Sequence, residues 1–222
     1  PYVANAGSGT VSVIDTAANT VVATVGVGVA PDGVAVTPDG THVYVANYVD
    51  NTVSVIRTAT NTVVKTIPVG TFPNGVAVTP DGTKVYVANE GSSNVSVIHR
   101  PGNTVVKTIP VGSFPFGVAV TPDGTRVYVA NNGTNTVSVI ARPGNTVVAM
   151  VPVNLPDGIA ITPDGTKVYV ANAGPNTVSV IRTATDTVVG LPIPVGNGPI
   201  AVAITPDGTR STSRTHCPTP FR

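Results

Sequence analysis

Hydrophobic and β-branched residues occur along the chain in short runs, and turn residues bound each run. Between residues 33 and 70 the runs read GVAVT, HVYVAN, NTVSVI and NTVVKTIPV. Val, Ile, Thr and Tyr dominate the runs, and Gly, Pro, Asn and Asp flank them, which is typical of β-strands. No segment shows the 3.6-residue period of an amphipathic helix. The pattern therefore predicts four strands, named A to D in chain order, and an all-β fold.

This four-strand unit is repeated. The turn sequence TPDGT begins at residues 37, 79, 121, 162 and 205, and the strand B sequence YVAN begins at residues 2, 44, 86, 128 and 169. Units of about 42 residues with four antiparallel strands are the signature of β-propeller blades. No composition shift marks a linker before about residue 211. We therefore predict one β-propeller domain over residues 1–210 and an irregular tail over residues 211–222.

The strand count predicts how the two ends of the array meet. The chain begins with strands B, C and D, and its repeats end with a lone strand A at residues 201–205. Pairing of this strand with residues 2–5 would complete a fifth blade and close the ring, which removes exposed strand edges. The tail contains Pro218 and Pro220 and no apolar alternation, so we expect it to stay outside the sheet. The prediction is a closed five-bladed β-propeller of four-stranded antiparallel blades.

The complete unit, GVAVTPDGTKVYVAN followed by NTVSVI and NTVVKTIPVG, resembles the YVTN β-propeller repeats of surface-layer and other exported proteins. The resemblance covers about residues 1–210, with YVAN as the tetrapeptide in every copy. It implies a propeller, often of seven blades, and an extracellular or cell-surface setting, but no single activity. Five units depart from the usual count, so a fragment of a longer array is an alternative to the closed ring.

Composition excludes several classes of function. Charged residues make up 10% of the chain and the net charge is +1, which argues against nucleic-acid or anionic-membrane partners. No apolar run reaches the roughly 18 residues that a membrane-spanning helix needs. Cys217 is the only cysteine, so no intrachain disulfide can form. We expect a monomer, with the five YVAN tyrosines packed between blades and their hydroxyls tethered.

The D–A and B–C loops differ most between repeats, and they lie on the blade face where propellers usually keep their sites. The candidate ligand-binding residues are those that follow the D–A loop proline, together with Tyr48 of a B–C loop: Asp32, Asn74, Phe116, Asp157 and Tyr48. Phe72 and Phe114 could plug the space between blades or form an apolar contact patch. Because Leu155 is their counterpart in the repeat, we expect plugging.

Carboxylates on the same face suggest a metal site. Asp32, Asp50 and Glu90 lie in adjacent predicted blades, and hard cations such as Ca²⁺ prefer oxygen ligands. Nucleophilic catalysis has less support, because none of the three histidines lies on this face. No catalytic residue is therefore assigned, and Ca²⁺ is the only cofactor considered.

Two classes of function follow. The first is a rigid scaffold or binding module that contacts protein or carbohydrate through the D–A and B–C loops. The second is a metal-dependent hydrolase resembling propeller lactonases, for which the acidic loop residues are the only support. A bound ion on the loop face would favour the hydrolase.

Overall fold

The computed structural model describes residues 1–215, and every regular element among them is a β-strand, as the hydrophobic pattern predicts. The first eleven strands are β1 Tyr2–Asn5, β2 Thr10–Asp15, β3 Thr20–Gly26, β4 Pro31–Val36, β5 His42–Asn47, β6 Thr52–Arg57, β7 Thr62–Pro68, β8 Pro73–Val78, β9 Lys84–Asn89, β10 Asn94–His99 and β11 Thr104–Pro110. The others are β12 Pro115–Val120, β13 Arg126–Asn131, β14 Thr136–Ala141, β15 Thr146–Pro152, β16 Pro156–Ile161, β17 Lys167–Asn172, β18 Thr177–Arg182, β19 Thr187–Val188, β20 Ile193–Pro194, β21 Pro199–Ile204 and β22 Ser211–Thr215. No helix that could span a bilayer occurs within residues 1–215.

The chain divides into two compact units, of which the first is Pro1–Pro110. This unit contains the three-stranded sheet β1-β2-β3 and the four-stranded sheets β4-β5-β6-β7 and β8-β9-β10-β11, all antiparallel. Valine and isoleucine side chains between neighbouring sheets form two core clusters. Strand β4 lies beside β1 and β8, so the inner strands of adjacent sheets are neighbours. The sheets thus pack face to face in a propeller-like arrangement.

The second unit is Val111–Arg222. Its sheets are β12-β13-β14-β15, a sheet in which β16, β17 and β18 are followed by two short outer strands, and the hairpin β21-β22. The outer strand of the middle sheet is broken because β19 and β20 pair with opposite ends of β18. Val137, Val139, Val168 and Val170 form part of the core between its first two sheets. The all-β fold and the four-stranded antiparallel blades are confirmed.

Two predictions about the C-terminal end are wrong. Strand β21 pairs with Ser211–Thr215, in the position that the sequence prediction gave to Tyr2–Asn5, and residues 211–215 are therefore not irregular. The physical reason is the TPDGT turn, in which Thr205 N–H donates to Arg210 O at 2.9 Å and starts a hairpin. A strand that follows a tight turn closes a much shorter loop than a strand two hundred residues away, so it loses less chain entropy. The prediction of an irregular tail for residues 216–222 lies outside the described residues.

Each inner strand carries a β-bulge near its start. In β4, Pro31 is opposite Asn47 and Val34 is opposite Val45, so two residues, Asp32 and Gly33, face one residue of β5. The inner strands β8, β12 and β16 repeat the same shift. A bulge re-aims side chains and is often found beside functional sites.

Gly33 shows why the second bulge position is glycine. A Cβ built there would lie 2.1 Å from the backbone oxygen of Asn74 on the neighbouring inner strand. Gly117 and Gly158 are equally crowded, at 2.5 Å from Asp157 O and from Ala201 Cα. The close approach of adjacent inner strands therefore requires a residue without a side chain.

Candidate functional site

The two ends of each sheet differ in how they are built. We call the end formed by the A–B and C–D connections the turn end, and the end formed by the B–C and D–A connections the loop end. At the turn end, Asp39 Oδ1 accepts from Thr37 Oγ1 at 2.6 Å and from the Thr41 N–H at 3.1 Å. The other four TPDGT copies form the same bonds around Asp81, Asp123, Asp164 and Asp207. These bonds hold the pKa of each of the Asp39, Asp123, Asp164 and Asp207 carboxyls below its ordinary value.

Two tyrosines of the YVAN copies, Tyr44 and Tyr128, reach the turn end and join neighbouring sheets. Tyr44 is buried, and its hydroxyl donates to Asn103 Oδ1 at 2.6 Å. Tyr128 donates to Asp186 Oδ1 at 2.6 Å, and the same carboxylate forms an ion pair with Arg126. Desolvation raises the pKa of Tyr44 to about 12. The predicted packing role with a tethered hydroxyl is confirmed for these two tyrosines.

A cavity of about 440 Å³ lies at the turn end of the first unit, lined by His42, Tyr44 and Arg100 among others. Its polar groups already have protein partners. Arg100 pairs with Asp39 at 2.5 Å and also donates to Thr41 Oγ1 at 2.8 Å, while Tyr44 is bonded to Asn103. These contacts hold the sheets together, so the residues that line the cavity have a structural role.

At the loop end, the residue before the D–A loop proline has a left-handed backbone in every repeat. The φ angles are 52° for Ala30, 53° for Phe72, 50° for Phe114, 45° for Leu155 and 59° for Gly198. A positive φ is unusual for a bulky residue and costs roughly 1–2 kcal/mol. The surrounding loop must therefore supply bonds that hold this conformation.

Side chains of the B–C loops supply those bonds. Phe72 N–H donates to Asn51 Oδ1 at 2.8 Å, and Leu155 N–H donates to Asn135 Oδ1 at 2.8 Å. In the first D–A loop the donor is Val29 N–H and the acceptor is Asp50 Oδ2, at 2.8 Å. Each of these bonds joins a D–A loop to a B–C loop, so the loop end is ordered before any ligand arrives.

Phe72 lies at the surface, which is the alternative that the sequence did not favour. Its side chain is 43% exposed, so it does not plug a buried space; Phe114 is also exposed. The Phe72 ring lies over Gly91, whose added Cβ would be 2.6 Å from Phe72 Cδ2. The ring also stacks on Tyr48, with centroids 5.0 Å apart and planes 16° apart. The expected plugging role of Phe72 and Phe114 is therefore wrong.

The Tyr48–Phe72 pair has acidic neighbours. Desolvation, the Glu90 carboxylate that interacts with its hydroxyl, and the charge of Asp32 together raise the pKa of Tyr48. Asp32 retains accessible surface, yet the protein around it desolvates the carboxyl and raises its pKa. Tyr48 and Phe72 thus meet at the loop end of the first unit, within electrostatic range of Glu90 and Asp32, and Phe72 is a member that the favoured prediction did not include.

The other candidate ligand-binding residues hold equivalent positions in the fold. Asn74, Phe116 and Asp157 are first residues of the bulges in β8, β12 and β16, as Asp32 is in β4. Phe116 and Asp157 belong to the second unit. Their ligand-binding role stays a prediction.

The predicted cation site receives no support from the geometry. Within residues 1–215, no group of three His, Cys, Asp or Glu side chains is arranged to hold a metal ion. Asp50 accepts the Val29 N–H, and Glu90 interacts with Tyr48. The Ca²⁺-binding role of Asp32, Asp50 and Glu90 stays a prediction.

A family model described as "Lactonase, 7-bladed beta-propeller" matches residues 2–109, just under half of the chain. No curated protein matches the chain. The first unit therefore carries the likeness to this family.

Solved structures resemble a larger part of the chain. A functionally unknown protein from Desulfotomaculum acetoxidans DSM 771 is 20% identical with a TM-score of 0.86, over 96% of this chain and 72% of that one. Kuenenia stuttgartiensis hydrazine synthase is 21% identical with a TM-score of 0.70, over 96% and 88%. The dihydro-heme d1 dehydrogenase NirN, in complex with DHE, is 22% identical with a TM-score of 0.73, over 89% and 44%. At this level of identity the likenesses show the β-propeller fold alone.

Proposed function

We propose that the chain is a rigid β-propeller binding module that contacts a protein or a carbohydrate through its loop end. The observation that carries this proposal is the set of bonds between D–A and B–C loops, such as Phe72 N–H to Asn51 Oδ1. These bonds fix the loop backbones while the side chains on them change from repeat to repeat. A surface that is ordered in advance loses less conformational entropy when it binds.

The setting that suits this role is extracellular or at the cell surface, and the active form is a monomer. The low content of charged residues and the Thr- and Asn-rich loops support this part of the proposal, as does the resemblance to exported YVTN-repeat proteins. The tally that predicted five blades depended on the pairing of β21 with Tyr2–Asn5, which β22 replaces, and the match to a seven-bladed family supports a higher blade count. Fractionation of the producing cells would test the setting.

A second function has one specific observation in its favour. The match of residues 2–109 to the lactonase family supports a metal-dependent hydrolase. The carboxylates at the loop end do not form a metal-binding group among the described residues, so the binding module has better support.

A loop exchange within the chain would test the proposed function. Residues 29–30, Val-Ala, and 48–50, Tyr-Val-Asp, would be replaced together by Ser-Phe and Asn-Gly-Thr, which stand at the matching positions 113–114 and 132–134 of another repeat, so that the two contacting loops are exchanged as a pair. Asn51, which holds Phe72, stays in place. We expect the wild-type chain to bind members of an array of immobilised glycans and peptides, and the exchanged chain to lose that binding at an unchanged melting temperature.

The control is a change at the turn end, Thr58→Ala, which removes a bond to Gly40 O far from the loops. Equal binding by the wild-type and exchanged chains would contradict the proposal. Lactone hydrolysis that needs added Ca²⁺ and is lost with Asp32→Asn would support the hydrolase instead.

A further inference from the structure

The loop end of the first unit exposes several apolar side chains. Val29 is 54% exposed, Val49 is 51% exposed and Phe72 is 43% exposed. Val29 and Val49 lie on adjoining loops, because the Val49 N–H donates to Val29 O at 3.3 Å. The Tyr48 ring stacks on Phe72. We call these four residues the aromatic patch, and they make the loop end more apolar than a loop surface usually is.

The charges around the aromatic patch have one sign. The five connections at the loop end of the first unit are residues 6–9, 27–30, 48–51, 69–72 and 90–93, and none of them contains Lys, Arg or His. They contain Asp50 and Glu90, and Asp32 follows the second of them. The ion pair that the described residues of this unit form, Arg100–Asp39, lies at the turn end. An aromatic surface with carboxylates and without basic side chains has a negative potential.

Such a surface is complementary to a cation. An arginine guanidinium can stack on an aromatic ring and pair with a carboxylate at the same time. A neutral sugar can also stack on Tyr48 and Phe72, but it does not reduce the repulsion among Asp32, Asp50 and Glu90. Charge complementarity therefore favours a basic protein segment over a carbohydrate.

We propose that the aromatic patch is the docking site of a protein segment that carries arginine beside apolar residues. The arginine lies against the Tyr48–Phe72 pair with its guanidinium towards Glu90, and the neighbouring apolar residues cover Val29 and Val49. This inference rests on the proposed binding function and specifies its partner.

The test measures binding of the whole chain to a rhodamine-labelled peptide in which arginine alternates with leucine. Fluorescence anisotropy is the readout. Two further peptides replace every arginine by glutamate or every leucine by serine. We expect the arginine–leucine peptide to bind best and the glutamate peptide not to bind. Higher salt should weaken binding, since rim charges act through screened electrostatics.

Three variants locate the site. Tyr48→Ala and Phe72→Gly should each weaken binding about tenfold, because aromatic anchors dominate interfaces. Glycine suits the left-handed backbone of residue 72, where φ is 53°, so the second variant should stay folded. Glu90→Gln should weaken binding less and reduce its dependence on salt.

Phe114→Gly is the matched control, because Phe114 has a φ of 50° and lies over Gly133 as Phe72 lies over Gly91. It belongs to the second unit, and its binding should equal that of the wild type. Equal losses for Phe72→Gly and Phe114→Gly would overturn the inference, as would equal binding of the arginine and glutamate peptides. Binding of a neutral cellooligosaccharide that Phe72→Gly abolishes, without peptide binding, would overturn the inference but leave the proposed function standing.

Discussion

The turn end and the loop end of the blades have equally regular backbones, but they use their side chains differently. At the turn end, Thr37, Asp39 and Thr41 bond one another, and the same residues recur in each TPDGT copy. At the loop end, the left-handed residue before the proline is Ala, Phe, Phe, Leu or Gly. The comparison shows that bonds to the backbone are enough to fix a loop, so the side chains of that loop can take on another task.

Glycine substitutions should reveal the largest difference in stability between the two ends. Gly33→Ala places a Cβ 2.1 Å from Asn74 O, where two backbones meet, and we expect it to lower the free energy of unfolding by about 3 kcal/mol. Gly40→Ala at the turn end has open space but a φ of 68°, so the expected loss is about 1 kcal/mol. Urea denaturation would measure both.

The control for these substitutions is Gly7→Ala, which has no atom within 4 Å of the added Cβ. Its unfolding midpoint should match that of the wild type. A larger loss for Gly40→Ala than for Gly33→Ala would show that the inner strands can separate to admit a side chain.

Removal of one hydroxyl group should also distinguish the two ends, by a smaller change in the free energy of unfolding. Tyr44→Phe removes the donor to Asn103 Oδ1 in a buried contact between sheets, and we expect a loss of about 1 kcal/mol in the free energy of unfolding. Tyr48→Phe keeps the stacked ring at the loop end, so its stability should hardly change. A destabilisation by Tyr48→Phe as large as that by Tyr44→Phe would mean that the aromatic patch is part of the structural framework.

Acid should reduce the stabilisation that the turn end gives to the folded state. Bonds from Thr162 and Thr166 lower the pKa of Asp164 to about 2, from 3.8. A carboxyl with a lowered pKa in the folded state stabilises the fold above about pH 4, and this contribution is lost as the pH falls towards 2. Thermal unfolding of wild type and Asp164→Asn from pH 6 to pH 2 would test this, because the difference between them should shrink in acid. A constant difference would contradict it.

The effect of Asp32 on stability should depend on pH in the opposite sense, and it should be the smallest of these effects. Desolvation raises the pKa of this carboxyl above 3.8, so the folded state favours its neutral form, and ionisation at higher pH opposes folding. Asp32→Asn should therefore melt slightly higher than the wild type at pH 7 and at the same temperature at pH 3. A lower melting temperature for the variant at pH 7 would show that the ionised carboxylate has a stabilising partner.

Strands and turns could be predicted from the sequence because their causes are local. Proline, aspartate and glycine in TPDGT determine a hairpin, and the Val-rich runs on either side of it determine strands. The same local rule applies after Arg210, where β22 follows a complete TPDGT turn; the weak strand pattern of that segment concealed it. The pairing of β21 with Tyr2–Asn5 was inferred from a count of strands. A strand count is weaker evidence for pairing than a tight turn that already joins two neighbouring segments.

The candidate site was predicted only in part. The variable bulge residue Asp32 and the loop residue Tyr48 were found because they differ between repeats. Phe72 was assigned to the core, since aromatic size alone does not show whether a ring is buried. The left-handed backbone at residue 72 and its stacking on Tyr48 depend on contacts between repeats, which no single repeat reveals.

Phe72, Phe114 and Leu155 each lie over a glycine of a B–C loop, namely Gly91, Gly133 and Gly174. In the repeat where the left-handed residue is the small Ala30, the matching B–C position is Val49. A large residue on one loop is thus accompanied by a missing side chain on the other. Any engineering of new specificity on this scaffold should therefore exchange the two loops as one cassette, because a loop moved alone would bring either a steric clash or a gap.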